Sequence, residues 1–293
     1  YKAMITMLIG AGLNTLLDAL FIYGFDWGIE GAAWATVIAM AVSSAFVMQH
    51  FLSSKSEVQF RKRNMRFSSE QILAILSIGM SPFFLQLLSS GIAFLINKTL
   101  ADYSESPLMA DRAIGAYGII NSAALVGFMF MLGIAQGMQP IIGFNYGARA
   151  LDRVRQTFKL CSTANLSIGA FVTLVAVIAP SFIASLFTSS PEMIDASARA
   201  LRLCLYGFAF VGFQVTATQF FQSIGFGGKA LLLSLSRQVL FLIPALFLFP
   251  LCWGEIGVWI ALPFSDIAAG VLGMLLMYYQ FKKFDQQFSR EGL

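Results

Sequence analysis

Eight apolar stretches alternate with short polar breaks along the chain. A helix needs about 20 mainly apolar residues to cross about 30 Å of hydrocarbon. The stretches lie at roughly 3–25, 28–51, 73–98, 113–138, 160–187, 200–223, 231–250 and 256–280. They are continuous rather than alternating, so they predict helices and not the short strands of a barrel. Turn-forming residues mark the breaks. Trp27-Gly28 separates the first stretch from the second, and Ser106-Pro107 lies between the third and fourth. Ser190-Pro191 falls between the fifth and sixth, and Gly227-Gly228 between the sixth and seventh. The pattern predicts an all-α polytopic membrane protein with eight transmembrane helices.

Composition narrows the class. Of 293 residues 58% are hydrophobic and 12% charged, against about 25% charged in a soluble domain. That excludes a soluble globular enzyme, a disordered chain and a nucleic-acid-binding domain. The cysteines are Cys161, Cys204 and Cys252, an odd count with no CxxC, and His50 is the sole histidine. Neither a disulfide framework nor a zinc or His-cluster site follows from them. No P-loop, GxSxG or HExxH occurs. The expectation is a protein that is not an enzyme and has no cofactor beyond an H⁺ or Na⁺ coupling ion. The opening Tyr1-Lys2-Ala3-Met4 carries no signal-peptide pattern.

The net charge of +4 belongs with the loops. Fifteen of the nineteen Lys and Arg residues fall on one side of the eight-span layout. They include Lys55, Arg61, Lys62, Arg63 and Arg66 after the second span, and Arg149, Arg153, Arg155 and Lys159 after the fourth. Lys98, Arg112, Arg199 and Arg202 fall on the other side. The positive-inside rule then places both chain ends in the cytoplasm. Residues 54–72 read as a cytoplasmic basic linker between 1–53, two helices of one lobe, and 73–293, a six-helix lobe. Solvated charge at anionic headgroups accounts for that linker without a further role.

Two junctions match. Trp27-Gly28-Ile29-Glu30-Gly31 opens the second span, and Trp253-Gly254-Glu255-Ile256-Gly257 opens the eighth. Both are WGxxG, 226 residues apart. The match pairs the first two spans with the last two as repeats of one six-helix unit, as secondary transporters use. The expectation is twelve crossings in the full protein, of which this chain holds the last eight.

A charge in hydrocarbon is costly, so an intramembrane acid is a functional candidate. Asp18 and Asp266 are the acids well inside predicted spans. Asn14 is four residues before Asp18, on the same helix face. Thr36, on the returning helix, falls at a similar depth, roughly 10–12 Å from the turn by helical rise. A carboxylate, an amide and a hydroxyl suit a hard cation such as Na⁺, and the same carboxylate could carry a proton. A hydrogen bond that only joins the two helices is the competing reading. Asp266 follows Pro263 by three residues, where a kink-stabilising role competes with an ion role. Arg237 at a predicted helix start is expected to snorkel to headgroups. Phe84, Gln86, Met129, Gln136, Phe213 and Gln214 are candidates for a cavity that takes varied lipophilic ligands, although packing or lipid contact explains most such side chains.

Several runs resemble a known family. Gly133-Ile-Ala-Gln136-Gly137-Met-Gln139-Pro140-Ile-Ile-Gly143-Phe-Asn145-Tyr146-Gly147-Ala148 looks like the segment after the eighth helix of MATE (multidrug and toxic compound extrusion) transporters. Asn14-Thr-Leu-Leu-Asp18 with Gly28-Ile-Glu-Gly31-Ala-Ala-Trp-Ala-Thr36 looks like their fifth and sixth helices. Gln222-Ser-Ile-Gly225 with Ser234-Leu-Ser-Arg237-Gln238 is similar to their tenth-to-eleventh junction. The resemblance is strongest to the bacterial DinF/MepA-like branch. It implies a twelve-helix, two-lobe fold of which this chain covers about helices 5–12. It also implies a cation site that uses Asn14, Asp18 and Thr36 together with an acid on the first helix.

The resulting expectation is a cation-coupled antiporter of the bacterial cytoplasmic (inner) membrane. It would export lipophilic, often cationic drugs or toxins, so its partners are the lipid bilayer and small amphipathic organic molecules, with no nucleic acid and no obligate protein partner. A lipid-linked precursor flippase would line its cavity with cations to hold pyrophosphate. A non-transporting scaffold or receptor would show no flux that depends on an ion gradient.

Overall fold

The computed structural model describes residues 2–53 and 68–290, with side chains described at 5–53, 68–69, 72 and 87–286. Among these residues every regular element is a helix. The chain divides into two compact units, Tyr1–Leu76 and Ser77–Leu293. The basic linker predicted at 54–72 lies largely outside the described residues.

The first unit is a helical hairpin. Helix α1 (Lys2–Ala19) runs directly into a π-helical segment (Leu20–Gly24), and α2 (Gly28–Leu52) returns. The turn uses left-handed backbone at Asp26 (φ 56°) and Gly28 (φ 53°), where Gly and Asp are tolerated. Small residues set the packing. Gly31, Ala35 and Ala39 recur every four residues on α2 and are its buried positions. A Cβ at Gly31 would stand 3.0 Å from Phe21, and one at Gly10 would stand 2.6 Å from Ser43 Oγ. Close backbone approach of this kind drives helix association where burial of apolar surface gives no advantage over lipid. Large side chains such as Met7, Leu16, Ile29 and Met40 point outward.

The second unit holds most of α3 (Ser69–Tyr103), then α4 (Pro107–Gly147), α5 (Leu151–Ile178), the short α6 (Pro180–Ser185), α7 (Pro191–Cys204) and α8 (Phe208–Ser223). Next come α9 (Gly227–Leu235), a second π-helical segment (Ser236–Leu242), α10 (Ile243–Trp253) and α11 (Glu255–Arg290). Helix α4 starts with Pro107 in its first turn and Ser106 as cap, whose Oγ accepts from the Met109 amide at 3.3 Å. Helices α5 and α8 cross at backbone contact. A Cβ at Gly212 would lie 2.4 Å from the Asn165 carbonyl oxygen, and one at Gly169 would lie 2.5 Å from Ala209 Cα. Asn165, fully buried, donates to the Met131 carbonyl at 3.1 Å and to Thr216 Oγ1 at 2.8 Å, which joins three helices beside the crossing. One core cluster gathers around Ile96, Leu100, Met131, Leu201, Phe208 and Trp259. A second is built from Met138, Phe158, Phe220, Phe221, Met277 and Phe284. Beyond the second cluster, Arg155 pairs with Asp285 and Lys229 donates to Gln280.

The helical layout follows the predicted spans with three differences. Six described helices are long and apolar enough to cross a membrane: the α1 region, α2, α4, α5, the α9–α10 run and α11. The sixth predicted span is instead a broken one, α7 and α8 bent by 55°. Helix α7 carries charge on its outer face, including an Asp195–Arg199 ion pair, and buries only Ser197, Ala198, Ala200, Leu201 and Cys204. The fifth predicted span, 160–187, stops at Ile178, because Pro180 cannot continue the helix and opens α6. The third, 73–98, falls on α3, a 35-residue helix whose side chains at 73–86 lie outside the described residues.

Candidate functional site

In the first unit, α1 remains α-helical through Ala19, so Asn14 and Asp18 sit one above the other on a single face. Helix α2 brings Thr36 to Asn14. Asn14 Nδ2 donates to Thr36 Oγ1 at 3.3 Å, while the Thr36 hydroxyl donates to the Ala32 carbonyl at 2.9 Å. Asp18 is half-buried, and its Oδ1 is buried with no hydrogen-bond partner among the described residues. An acceptor of this kind costs free energy until something satisfies it. The π-helical segment begins two residues beyond Asp18. Such segments interrupt the i→i−4 ladder and leave locally adjustable backbone, often at functional positions. These residues offer oxygen acceptors of three types, a carboxylate, an amide and a hydroxyl. Among the described residues no cluster of three His, Cys, Asp or Glu could hold a metal.

The second unit encloses a cavity of about 610 Å³. Its walls come from α3 (Ser89, Ser90, Ile96), α4 (Tyr117, Asn121, Phe128), the α7–α8 break (Cys204, Leu205, Phe208), the π-helical segment (Arg237, Gln238, Leu242) and α11 (Leu262, Ser265, Asp266). Arg237 Nη1 donates to Asp266 Oδ1 at 3.4 Å. Gln238 Nε2 donates to Ser89 Oγ at 3.2 Å, and Gln238 Oε1 is buried and unpartnered. Asp266 is held in place by close packing. A Cβ at Gly207 would stand 3.2 Å from the Asp266 Cβ and 2.8 Å from the Pro263 carbonyl oxygen.

Arg237 is therefore a correction to the sequence reading. It faces a carboxylate across a cavity rather than the headgroups. The helix begins at Gly227, not near 231, so Arg237 stands about 15 Å from its start by helical rise. Asp266 is one half of an ion pair and sits on a helix that continues through Pro263.

The cavity candidates divide. Phe84 and Gln86 lie outside the described side chains. Met129 and Gln136 are exposed and do not line the cavity. Phe213 packs edge-on against Phe158. Gln214, 5% exposed, donates from Nε2 to the Leu233 carbonyl at 2.7 Å. That carbonyl lies where α9 gives way to π-helix, a register change that alters which amide each carbonyl meets. The residues that do line the cavity, Asn121, Tyr117 and Ser265 among them, are isolated polar positions in apolar runs. Their one common sequence signal is polarity within a span.

The comparisons with known proteins come down on one family. The MatE family profile matches residues 104–248. The multidrug export protein MepA of Staphylococcus haemolyticus is 26% identical over 278 residues, covering 94% of this chain and 59% of its own length. MepA of Staphylococcus aureus (strain MSSA476) is 27% identical over 281 residues with the same coverage. An outward-facing multidrug resistance MATE transporter of the MOP superfamily superposes with a TM-score of 0.81 at 25% identity, over 97% of this chain and 63% of that one. The chain thus spans about three-fifths of the length of the curated relatives it matches. With the all-helical fold and the apolar spans, these matches make the chain similar to MATE (multidrug and toxic compound extrusion) transporters.

Proposed function

We propose that the full-length protein is an exporter of small amphipathic organic molecules, often cationic, driven by H⁺ or Na⁺ that enters at Asp18. The carrying observation is the Asp18 carboxylate oxygen, buried without a partner among the described residues, one helical turn after the Asn14 that bonds Thr36 and two residues before a π-helical segment. A desolvated carboxylate gains most from an incoming positive ion. Asn14 and Thr36 supply further oxygens for Na⁺, and a proton needs Asp18 alone. Ion binding at Asp18 would change how α1 packs on α2 and so bias the transporter between its two access states. A coupling ion drives transport only through such a difference in affinity between states. The multidrug export named for the MepA relatives and the spread of basic residues support placing the protein in the bacterial cytoplasmic membrane with both ends of this chain inside.

The test is Asp18→Asn in the full-length protein, with membrane expression matched, followed by ethidium efflux from energised cells. The expected result is loss of at least about nine-tenths of the efflux rate, since the coupling group is removed. Unchanged efflux would falsify the assignment of Asp18. Repeating the assay in a Na⁺-free buffer, with and without a protonophore, identifies the ion.

A further inference from the structure

We propose that the cavity of the second unit is a binding site for small amphipathic organic acids, and that Arg237 is the residue that takes their carboxylate. A guanidinium has five N–H donors in a planar fork. Arg237 commits one, to Asp266 Oδ1 at the long distance of 3.4 Å, and this is its hydrogen bond among the described residues. Well-formed Arg–carboxylate pairs are bidentate, with N···O near 2.7–2.9 Å. The pair here is end-on and loose, which leaves the fork open toward the cavity.

The two partners are not equally reachable. The Arg237 side chain is 31% exposed and that of Asp266 13%. Both line the cavity, and the guanidinium is the more accessible of the two to a molecule within it. A cationic ligand meets the wrong charge at the wall, whereas a carboxylate completes the fork while Asp266 keeps its place. Ser89 and Asn121 add hydroxyl and amide groups to the cavity lining, and Phe128, Leu205 and Phe208 add apolar surface for the rest of the ligand. The volume of about 610 Å³ is in the range of sites for drug-sized molecules. Its lining residues all belong to the second unit and do not include Asp18, so the proposal is tested apart from the coupling proposal.

The experiment uses full-length protein in nanodiscs and isothermal titration with three probes of one shape: 2-naphthoate, 2-naphthamide and 2-naphthylmethylammonium. Naphthoate is expected to bind at least about tenfold more tightly than the other two, the equivalent of one charge-assisted hydrogen bond. Arg237→Gln is expected to remove that preference. Because the single variant leaves Asp266 without its cation, Arg237→Gln combined with Asp266→Asn is the folded control, and it too should lose the preference for naphthoate. Dodecanoate carries the same head on a flexible chain, and whichever of dodecanoate and naphthoate binds more tightly identifies a fatty acid or a compact organic acid as the ligand type. Equal binding of the three naphthyl probes, or a preference for naphthoate that survives in the double variant, overturns the proposal.

Discussion

Asp18 and Asp266 are both acids within long apolar helices, and the molecule treats them differently. Asp18 stands one helical turn after the Asn14 that bonds Thr36, and one of its oxygens has no partner among the described residues. Asp266 faces a guanidinium and packs against the backbone at Gly207. An unpartnered acid has a reason to bind and release a small cation. A paired acid has already met its cation, and its loss leaves a charge behind. At Asp266 the cost of burying a charge is offset by a side chain of the same chain, whereas Asp18 Oδ1 has no partner among the described residues. The two sites therefore answer different questions, one about coupling and one about what the cavity will hold.

The largest expected effect separates them directly. Asp266→Asn strands Arg237 within the unit. Removing one partner of a buried ion pair costs about 3–5 kcal/mol, and access from the cavity reduces this to about 2 kcal/mol. Asp18→Asn removes an unsatisfied anion, so stability should hold or rise slightly. The measurement is the thermal unfolding midpoint of the full-length protein in detergent, with a drop of several degrees expected for Asp266→Asn and none for Asp18→Asn. Arg237→Gln with Asp266→Asn should restore most of the lost stability. Equal effects of the two single substitutions would erase the distinction drawn between the sites.

The sequence carried one of these sites and hid the other. Asn14, Asp18 and Thr36 follow from helical spacing and from depth on two neighbouring helices, because a short hairpin turn leaves little freedom in how its arms align. The cavity draws on α3, α4, the α7–α8 break, the second π-helical segment and α11, so no local spacing predicts it. Two backbone features also lack a compositional sign. The π-helical segment at Leu20–Gly24 has the same apolar character as its neighbours. The bend between α7 and α8 falls at Leu205-Tyr206-Gly207, where apolarity continues without interruption. The helix that carries Arg237 starts earlier than the apolar run does, at Gly227-Gly228, so hydropathy alone puts Arg237 too near its start.

A middle-sized effect belongs to the helix crossings. Alanine at Gly212 would put a methyl group 2.4 Å from a backbone oxygen of α5, which cannot swing aside as a side-chain end would. Overpacking of this kind costs about 1–3 kcal/mol. Gly10→Ala in the first unit meets Ser43 Oγ at 2.6 Å, and that hydroxyl can rotate away, so the cost there should be smaller. Gly133 has open space around it and serves as the control. Detergent unfolding midpoints should fall in the order Gly212→Ala, Gly10→Ala, Gly133→Ala, with the first lowest. A Gly212→Ala midpoint equal to that of Gly133→Ala would mean the α5–α8 crossing is not as tight as described.

The smallest effect tests whether the two WGxxG turns are physically the same device. Gly28 and Gly254 have φ of 53° and 58°, and neither would bring a Cβ within 4 Å of another group. Alanine at either position therefore pays only for left-handed backbone, about 1–2 kcal/mol. The second glycines differ. A Cβ at Gly31 would sit 3.0 Å from Phe21 and Trp27, whereas one at Gly257 would sit 2.5 Å from the backbone of Phe249. Gly28→Ala and Gly254→Ala should each lower the unfolding midpoint measurably, and Gly257→Ala should lower it more than Gly31→Ala. If Gly28→Ala is silent while Gly254→Ala is not, the shared motif is a likeness of letters. If both glycines of each turn are sensitive in the stated order, the turns share a backbone constraint while differing in how tightly the following helix is pressed against the preceding one.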